Sequence, residues 1–421
     1  EIFMARLIPR RTKVKTEFFK GLTIMDGVIG IVFMLLLALV LISDFSVKIR
    51  LILSACVIMV TIVMFLQIAP ETRTYQAIGD LFKYIFGVKK FTKQKHATRK
   101  SVNALMPYVG ILEQNYDEKH KVGIIDYKEY FGVAIEIKSI EFYMLSLARQ
   151  DAYIAAFDNA LKSLSSEQSA AIFKLSRPMV LDSYIMRECE KKDEILQNIA
   201  NGVMKEQEAI PRIEIVESRI NSLDAMNVDK EFPILKDHMY LVVFGKAVRS
   251  LLSTVNFIVN TIEGGTNNVM SCNILSRPEC AVFLKNYYTS SFDEREVKDI
   301  DPKDLINWIM PERIRFSALR HFVNEKSYTT YAVAEYPITV PNAWGRSFFS
   351  VPGTRISVKL KPVAQSESER RLDRSIMEME TQAAKRARAS TELEKNVHLE
   401  TLRELLASIK TGNEVLFDTN I

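Results

Sequence analysis

The 421-residue sequence contains little of what reactive sites are usually built from. Its four cysteines (Cys56, Cys189, Cys272 and Cys280) lie too far apart for a zinc ribbon or finger, and free thiols suit a reducing compartment. Its five histidines (His96, His120, His238, His321 and His398) fall in no HExxH or CxxC-like spacing, so no metal site is predicted. No GxSxG nucleophile turn is present. The single Gly–Lys pair, Gly245-Lys246, is followed by Ala247, and Tyr240 stands where a phosphate loop needs its first glycine. These residues also read as the interior of a helix. Glu263–Asn268 (EGGTNN) reads as a plain turn, and the acidic run SFDEREVKDIDPKD as a solvated loop rather than a catalytic carboxylate pair. Charge of one sign is lacking too. Lys and Arg number 56 against 51 Asp and Glu, which excludes a chain that binds nucleic acid through bulk charge.

Long apolar runs, by contrast, are prominent. One is centred on Gly27–Ile42 and extends back to Leu22; the next is Leu51–Ala69. A bilayer core near 30 Å needs roughly 20 helical residues, so spans over about 22–42 and 51–69 are predicted. The short SDFSVKIR between them implies a helical hairpin. Arg6, Arg10, Arg11, Lys13, Lys15 and Lys20 precede the first run. Arg73, Lys83, Lys89, Lys90, Lys93, Lys95, Arg99 and Lys100 follow the second, while the tip holds only Lys48 and Arg50. The positive-inside rule then places both ends in the cytoplasm. The bland alternative is a pair of buried core helices. A cleaved signal peptide does not fit, because a second run follows with no small-residue cleavage site.

Residues 71–106 form a basic linker. Tyr75, Ile78, Leu81, Phe82, Ile85 and Phe86 recur at helical spacing, with Lys83, Lys89 and Lys90 nearby. That pattern fits a helix lying on an anionic inner leaflet, and equally a core helix. Residues 107–362 read as an α+β domain. Strands are expected at Tyr108–Glu113, Gly123–Ile137 and Ala171–Arg177, and helices at Ile140–Leu164, Tyr184–Glu206 and Ile234–Thr261. Pro211 sets off a segment over Arg212–Ala225, and a short helix follows the Ser-x-Pro signal at Ser276. Tyr328–Tyr336 and Thr354–Leu360 alternate as strands. Ser366–Lys410 reads as one long charged helix capped by Gly412. The fold class is therefore α+β: a transmembrane helical hairpin, a mixed cytoplasmic domain and a long helix over 363–421. Trp344, Arg346, Phe348 and Phe349 form a candidate partner contact, with strand-end packing as the alternative. Lys385–Arg388 (KRAR) is read as a solvated helix face. With Lys83–Lys100 it would be the source of any single-stranded DNA binding.

Two resemblances add to this reading. Ile8-Pro9, Phe18-Phe19 and Gly21-Leu22-Thr23 ahead of a two-span hairpin resemble the PrgI-like small membrane proteins of type IV secretion, with Lys20 interrupting the pattern. Three further segments resemble the N-terminal domain of VirB-type conjugation ATPases. They are the strand region Ile124–Ile137, the stretch Ser276–Pro302 ending in an aspartate–proline turn, and AEYPITVPNAWGRSFFSVPGTRISVKLKPV leading into ERRLDRSIMEMETQA. The resemblance implies a membrane anchor, other secretion subunits as partners, a homo-oligomer, and a RecA-like motor that would begin beyond Ile421. Nothing in the chain matches that motor's phosphate loop. ATP and magnesium are thus expected only with a downstream domain, and no cofactor is expected in this chain. Glu1 and the apolar run EVLFDTNI ending at Ile421 do not look like natural termini, so a longer protein is expected. A motorless membrane scaffold is the alternative.

Overall fold

The computed structural model describes all residues except 1–5, 8–16, 20–21, 70–71, 94–100, 117–119, 139–141, 179–180, 229–234, 290–291, 293, 334–338, 341–344, 384–388 and 413, and of some others, among them 22–25 and 389–398, the backbone only. The N-terminal part begins with short β1 (Arg6–Leu7) and a small hairpin of β2 (Glu17–Phe19) with β3 (Leu22–Thr23). Helix α1 (Ile24–Ile42) follows and packs on α2 (Val47–Phe65). Only Ser43–Ser46 join them, so Lys48 and Arg50 sit in the first turn of α2 rather than in the connection. A tight turn of β4 (Gln67–Ala69) with β5 (Thr72–Arg73) then leads into α3 (Thr74–Phe86).

Among the described residues α2 alone is long and apolar enough to cross a membrane. The apolar stretch Asp26–Ile42 of α1 is shorter. At 1.5 Å per residue it covers about 25 Å. Neither helix enters the protein core. No residue of α2 is buried, and Met34, Leu35 and Leu39 of α1 are more than half exposed. The core-helix alternative for these runs is therefore overturned.

Beyond α3 come β6 (Lys90–Thr92), β7 (Gly110–Asn115), β8 (Lys121–Asp126) and β9 (Phe131–Lys138). The expected single strand Gly123–Ile137 is thus two strands. They are joined through Lys128, whose φ of 75° bends the chain where Tyr127 and Tyr130 stack. Helix α4 (Leu147–Lys162) leads to β10 (Ser169–Pro178), then α5 (Asp182–Ala200) and α6 (Glu206–Val228). Pro211 lies inside α6 and does not divide it. The break falls instead near Gly202, at φ 69°.

The helix expected over Ile234–Thr261 is a strand, β11 (Leu235–Gly245), followed by α7 (Val248–Gly265). The run Met239–Phe244 is apolar without a break, and periodicity cannot separate a buried strand from a buried helix there. Pairing resolves it: Tyr240 lies opposite Phe173 on one side and Glu136 on the other. Gly245-Lys246 consequently sits at a strand-to-helix junction. Only Lys246 and Ala247 separate the two elements, too short a loop to cradle phosphate.

The chain continues through β12 (Ser271–Ile274), α8 (Arg277–Tyr288) and α9 (Leu305–Ile309). Ser276 and Glu279 form a capping box at the start of α8, satisfying its first free amides. A meander of β13 (Arg313–Phe316), β14 (His321–Val323) and β15 (Lys326–Tyr328) adds to β6. The expected strand Tyr328–Tyr336 ends at Tyr328 in its described part. Short β16 (Thr339–Val340) pairs back to β1, and single-turn α10 (Arg346–Phe349) precedes β17 (Ile356–Pro362).

The long helix expected over Ser366–Lys410 is two helices, α11 (Gln365–Ala383) and α12 (Ala389–Lys410), packed on each other. Leu372 and Ile376 share a buried cluster with Leu402 and Ile409. In one straight helix Leu372 and Leu402 would stand about 45 Å apart. Gly412, at φ 75°, ends α12 as expected. The last strand, β18 (Phe417–Asn420), returns to the sheet.

The main sheet runs β18-β17-β10-β11-β9-β8-β7, with β12 also on β9, and every pairing is antiparallel. Its two faces are covered differently. Leu251, Val255, Ile258 and Ile262 of α7 and Tyr153 of α4 pack on Ile135, Leu241 and Val243. Cys280–Leu284 of α8 and Leu305 and Ile309 of α9 pack on Ala134, Tyr240 and Val242. This two-sided cover explains why β9 and β11 carry nearly unbroken apolar runs. Helix α8 lies very close to β8. A Cβ at Gly123 would come within 2.8 Å of the Ser276 carbonyl oxygen and 2.9 Å of Cys280 Sγ. Gly123→Ala is therefore expected to destabilise the fold by about 1–3 kcal/mol. Gly110→Ala, with nothing within 4 Å, should leave the denaturant midpoint nearly unchanged.

Candidate membrane-anchoring site

The end of α1 nearest the sheet domain carries one carboxylate in an otherwise apolar sequence. Asp26 is 2% exposed. Its carboxylate lies 3.1 Å from Arg73 Nε and accepts a hydrogen bond from the Tyr75 hydroxyl at 2.8 Å. The Arg73 guanidinium sits over the Phe65 ring, with 5.4 Å to the centroid. Gln76 Oε1 accepts from the Arg73 amide, and Gln76 Nε2 donates to the Tyr75 hydroxyl. Thr74 N donates to Leu66 O across the β4–β5 turn. The start of α1, the end of α2 and the start of α3 are thus held at one polar node. An ionised carboxylate beside apolar helices is costly unless paired, and here Arg73 and Tyr75 reach it from the segment after α2.

From this node α3 runs with Leu81, Phe82, Ile85 and Phe86 exposed, and Phe82 and Phe86 stacked at 6.0 Å. No residue of α3 is buried, which overturns the core-helix alternative. Of the predicted lipid-facing basic residues, Arg10, Arg11, Lys13, Lys15, Lys95, Arg99 and Lys100 lie outside the described residues. Lys83 is exposed and 3.1 Å from Asp80, and Lys89 sits 4.4 Å over the Tyr84 ring. Lys90 is exposed on β6. Lys93 turns the other way and donates from Nζ to the Asn307 carbonyl at 2.6 Å, so it ties the linker to α9. Of the candidate partner contact, Trp344 lies outside the described residues. Arg346 and Phe348 are exposed on α10, whereas Phe349 is half-buried.

Sequence reasoning read Arg73 only as one of many orientation charges and passed over Asp26. A lone acidic residue at the edge of an apolar run was the available signal.

Two polar clusters occupy opposite faces of the sheet where β9, β10 and β11 meet. On the α8 face, His238 Nδ1 is 2.6 Å from Glu136 Oε1, and Arg177 lies 3.8 Å from the same carboxylate and 3.6 Å from Glu294. On the α7 face, the buried Lys174 pairs with Asp237 at 2.9 Å and donates to the Val351 carbonyl at 2.6 Å, while Ser176 donates to Asp237. The hydrogen bond from His238 holds the Glu136 carboxyl below the usual carboxylate range, against a smaller opposing effect of burial. These groups bind each other and the loop at Val351. Burial pushes the Cys272 thiol up to about 12 and raises Cys280 as well, leaving both protonated and unreactive at neutral pH. The cleft of about 370 Å³ between α5 and α6, lined by Tyr184, Arg187, Lys191 and Arg219, involves neither cluster. Among the described residues no group of three His, Cys, Asp or Glu could hold a metal ion.

Asp26→Ala leaves Arg73 and Tyr75 without their shared acceptor, and is expected to destabilise the junction of α1, α2 and α3 by about 1.5–3 kcal/mol. Limited proteolysis in detergent micelles should show faster cleavage between residues 66 and 74. Glu136 is stabilising when ionised, because its native pKa lies below its unfolded one. That contribution is complete above the ordinary carboxylate range and is lost as pH falls through the lowered native value. Glu136→Gln should therefore cost about 1.5–3 kcal/mol at neutral pH, with the gap to the parent closing in acid, as read by urea titrations across pH.

No protein-family model matches the chain, and no curated protein is similar to it.

Proposed function

We propose that this chain is the inner-membrane-anchored N-terminal portion of a conjugative type IV secretion ATPase, which docks a downstream motor to the DNA/protein translocation channel. In this reading α1 and α2 form a two-span hairpin, both of its ends face the cytoplasm, and the sheet domain hangs beneath the membrane. The partners are other type IV secretion subunits and further copies of the same chain. ATP and magnesium belong to the motor that would follow Ile421.

One observation carries the reading. A pair of apolar helices with outward-facing side chains is joined through the Asp26–Arg73–Tyr75 node to an α+β domain that has no phosphate loop among its described residues. In this reading the helices serve as the anchor and the sheet domain as the docking body. The segments that carry the resemblance also support it. Ser276–Pro302 holds the capped helix α8 and, near its end, a turn in which Asp301 accepts from the Lys303 amide, and further on the strand β17 leads into the arginine-bearing helix α11. The bare hairpin geometry favours equally the second reading, a motorless scaffold of a secretion or envelope complex.

The gene's continuation separates the two. A GxxxxGK[ST] sequence 3′ of codon 421 is expected, with ATP hydrolysis by the extended protein and none by residues 1–421 alone. A stop codon at that point would overturn the motor and leave the scaffold.

A further inference from the structure

Only three residues separate the end of α3 from the strand β6, which brings a distant part of the sequence to the membrane side. Its partner is β13, with Lys90 opposite Arg315, Phe91 opposite Ile314 and Thr92 opposite Arg313. Phe316 N then donates to Lys89 O, extending the ladder toward α3. The β13–β14 connection, Ser317–Arg320, is closed by a hydrogen bond from Ser317 N to Arg320 O, and so projects from the end of the small sheet nearest α3.

The two faces of this sheet differ sharply. Phe91, Ile314 and Val323 share one face and are buried, Phe91 and Ile314 within the main core. Lys90 and Arg315 share the other and are exposed, with the Arg315 guanidinium 4.2 Å over the Phe322 ring. At the tip, Leu319 is 86% exposed beside exposed Arg320. The acidic residues of this small sheet, Glu312 and Glu325, lie at its opposite end: the Glu312 amide meets Asn324 Oδ1, and the Glu312 carbonyl accepts from Lys93 N. An apolar tip flanked by cations, with acids held away, matches an anionic bilayer surface, where apolar side chains enter the interface and basic ones meet headgroups.

We propose that the β13–β14 hairpin is a second membrane contact. Leu319 enters the interface while Lys90, Arg315 and Arg320 bind anionic phospholipid headgroups, continuing the exposed Leu81, Phe82, Ile85 and Phe86 surface of α3. This rests on the membrane-anchored reading above. It adds that the sheet domain is held against the bilayer at a site remote in sequence, so its tilt is set at two points instead of one.

The test is hydrogen–deuterium exchange on the intact chain in nanodiscs of phosphatidylcholine, with or without phosphatidylglycerol. Amides of Ser317–His321 are expected to exchange about tenfold more slowly in the anionic discs, and Arg320→Glu and Leu319→Asp should each remove that difference. Equal exchange of the tip in both lipids, with α1 and α2 still protected, overturns this contact while leaving the anchor intact. Protection that survives both substitutions also overturns it. Unprotected α1 and α2 would show that the anchor reading itself has failed. The comparison between lipids uses the unaltered chain, so the result does not depend on a variant folding.

Discussion

The ladder formed by β9, β10 and β11 is the constraint from which the rest of the molecule hangs. Ten residue pairs join β10 to β11, and seven join β11 to β9. Both faces of this ladder are covered, so its backbone groups are removed from water and must pair along their whole length. That requirement sets the positions of α4 and α7 on one side and α8 on the other. It also brings Glu136, Lys174, Arg177, Asp237 and His238 into two compact polar clusters. Both clusters pair charge between strands of the sheet, and Lys174 also holds the Val351–Thr354 loop that leads into β17. They behave as fastenings.

A second constraint joins this body to the apolar helices. The polar node at Asp26 fixes how α3 leaves α2, and β6 follows α3 so closely that its pairing with β13 is bound to the same junction. Orientation of the sheet domain is therefore a consequence of two pieces of local chemistry, one buried ion pair and one short antiparallel ladder. In the proposed secretion machine such a coupling would matter, because a motor delivered beneath a channel must be presented at a defined angle.

The sequence was most legible where a single local signal dominated. The apolar runs, the Ser-x-Pro start of α8, the Gly412 cap and the strand around Ala171–Arg177 all depend on nearby residues. It failed where an apolar stretch could serve either period. Met239–Phe244 fits a buried helix or a buried strand, and only its neighbours Phe173 and Glu136 distinguish them. The late charged segment failed for a related reason. Leu372 and Leu402 each suit one long amphipathic helix, and the fold-back that buries them together is a tertiary event.

By itself, the sequence determined the class of the molecule: two apolar helices, a basic amphipathic linker and an α+β body without metal-ligand, nucleophile or phosphate-loop patterns. Those properties follow from composition and short-range spacing. Only the tertiary structure decided that Asp26 meets Arg73 and Tyr75, that Lys93 faces α9, and that residues 313–316 pair with the segment that follows α3. Each of these contacts joins side chains or strands far apart in sequence, and nothing in local periodicity encodes the register that brings them together.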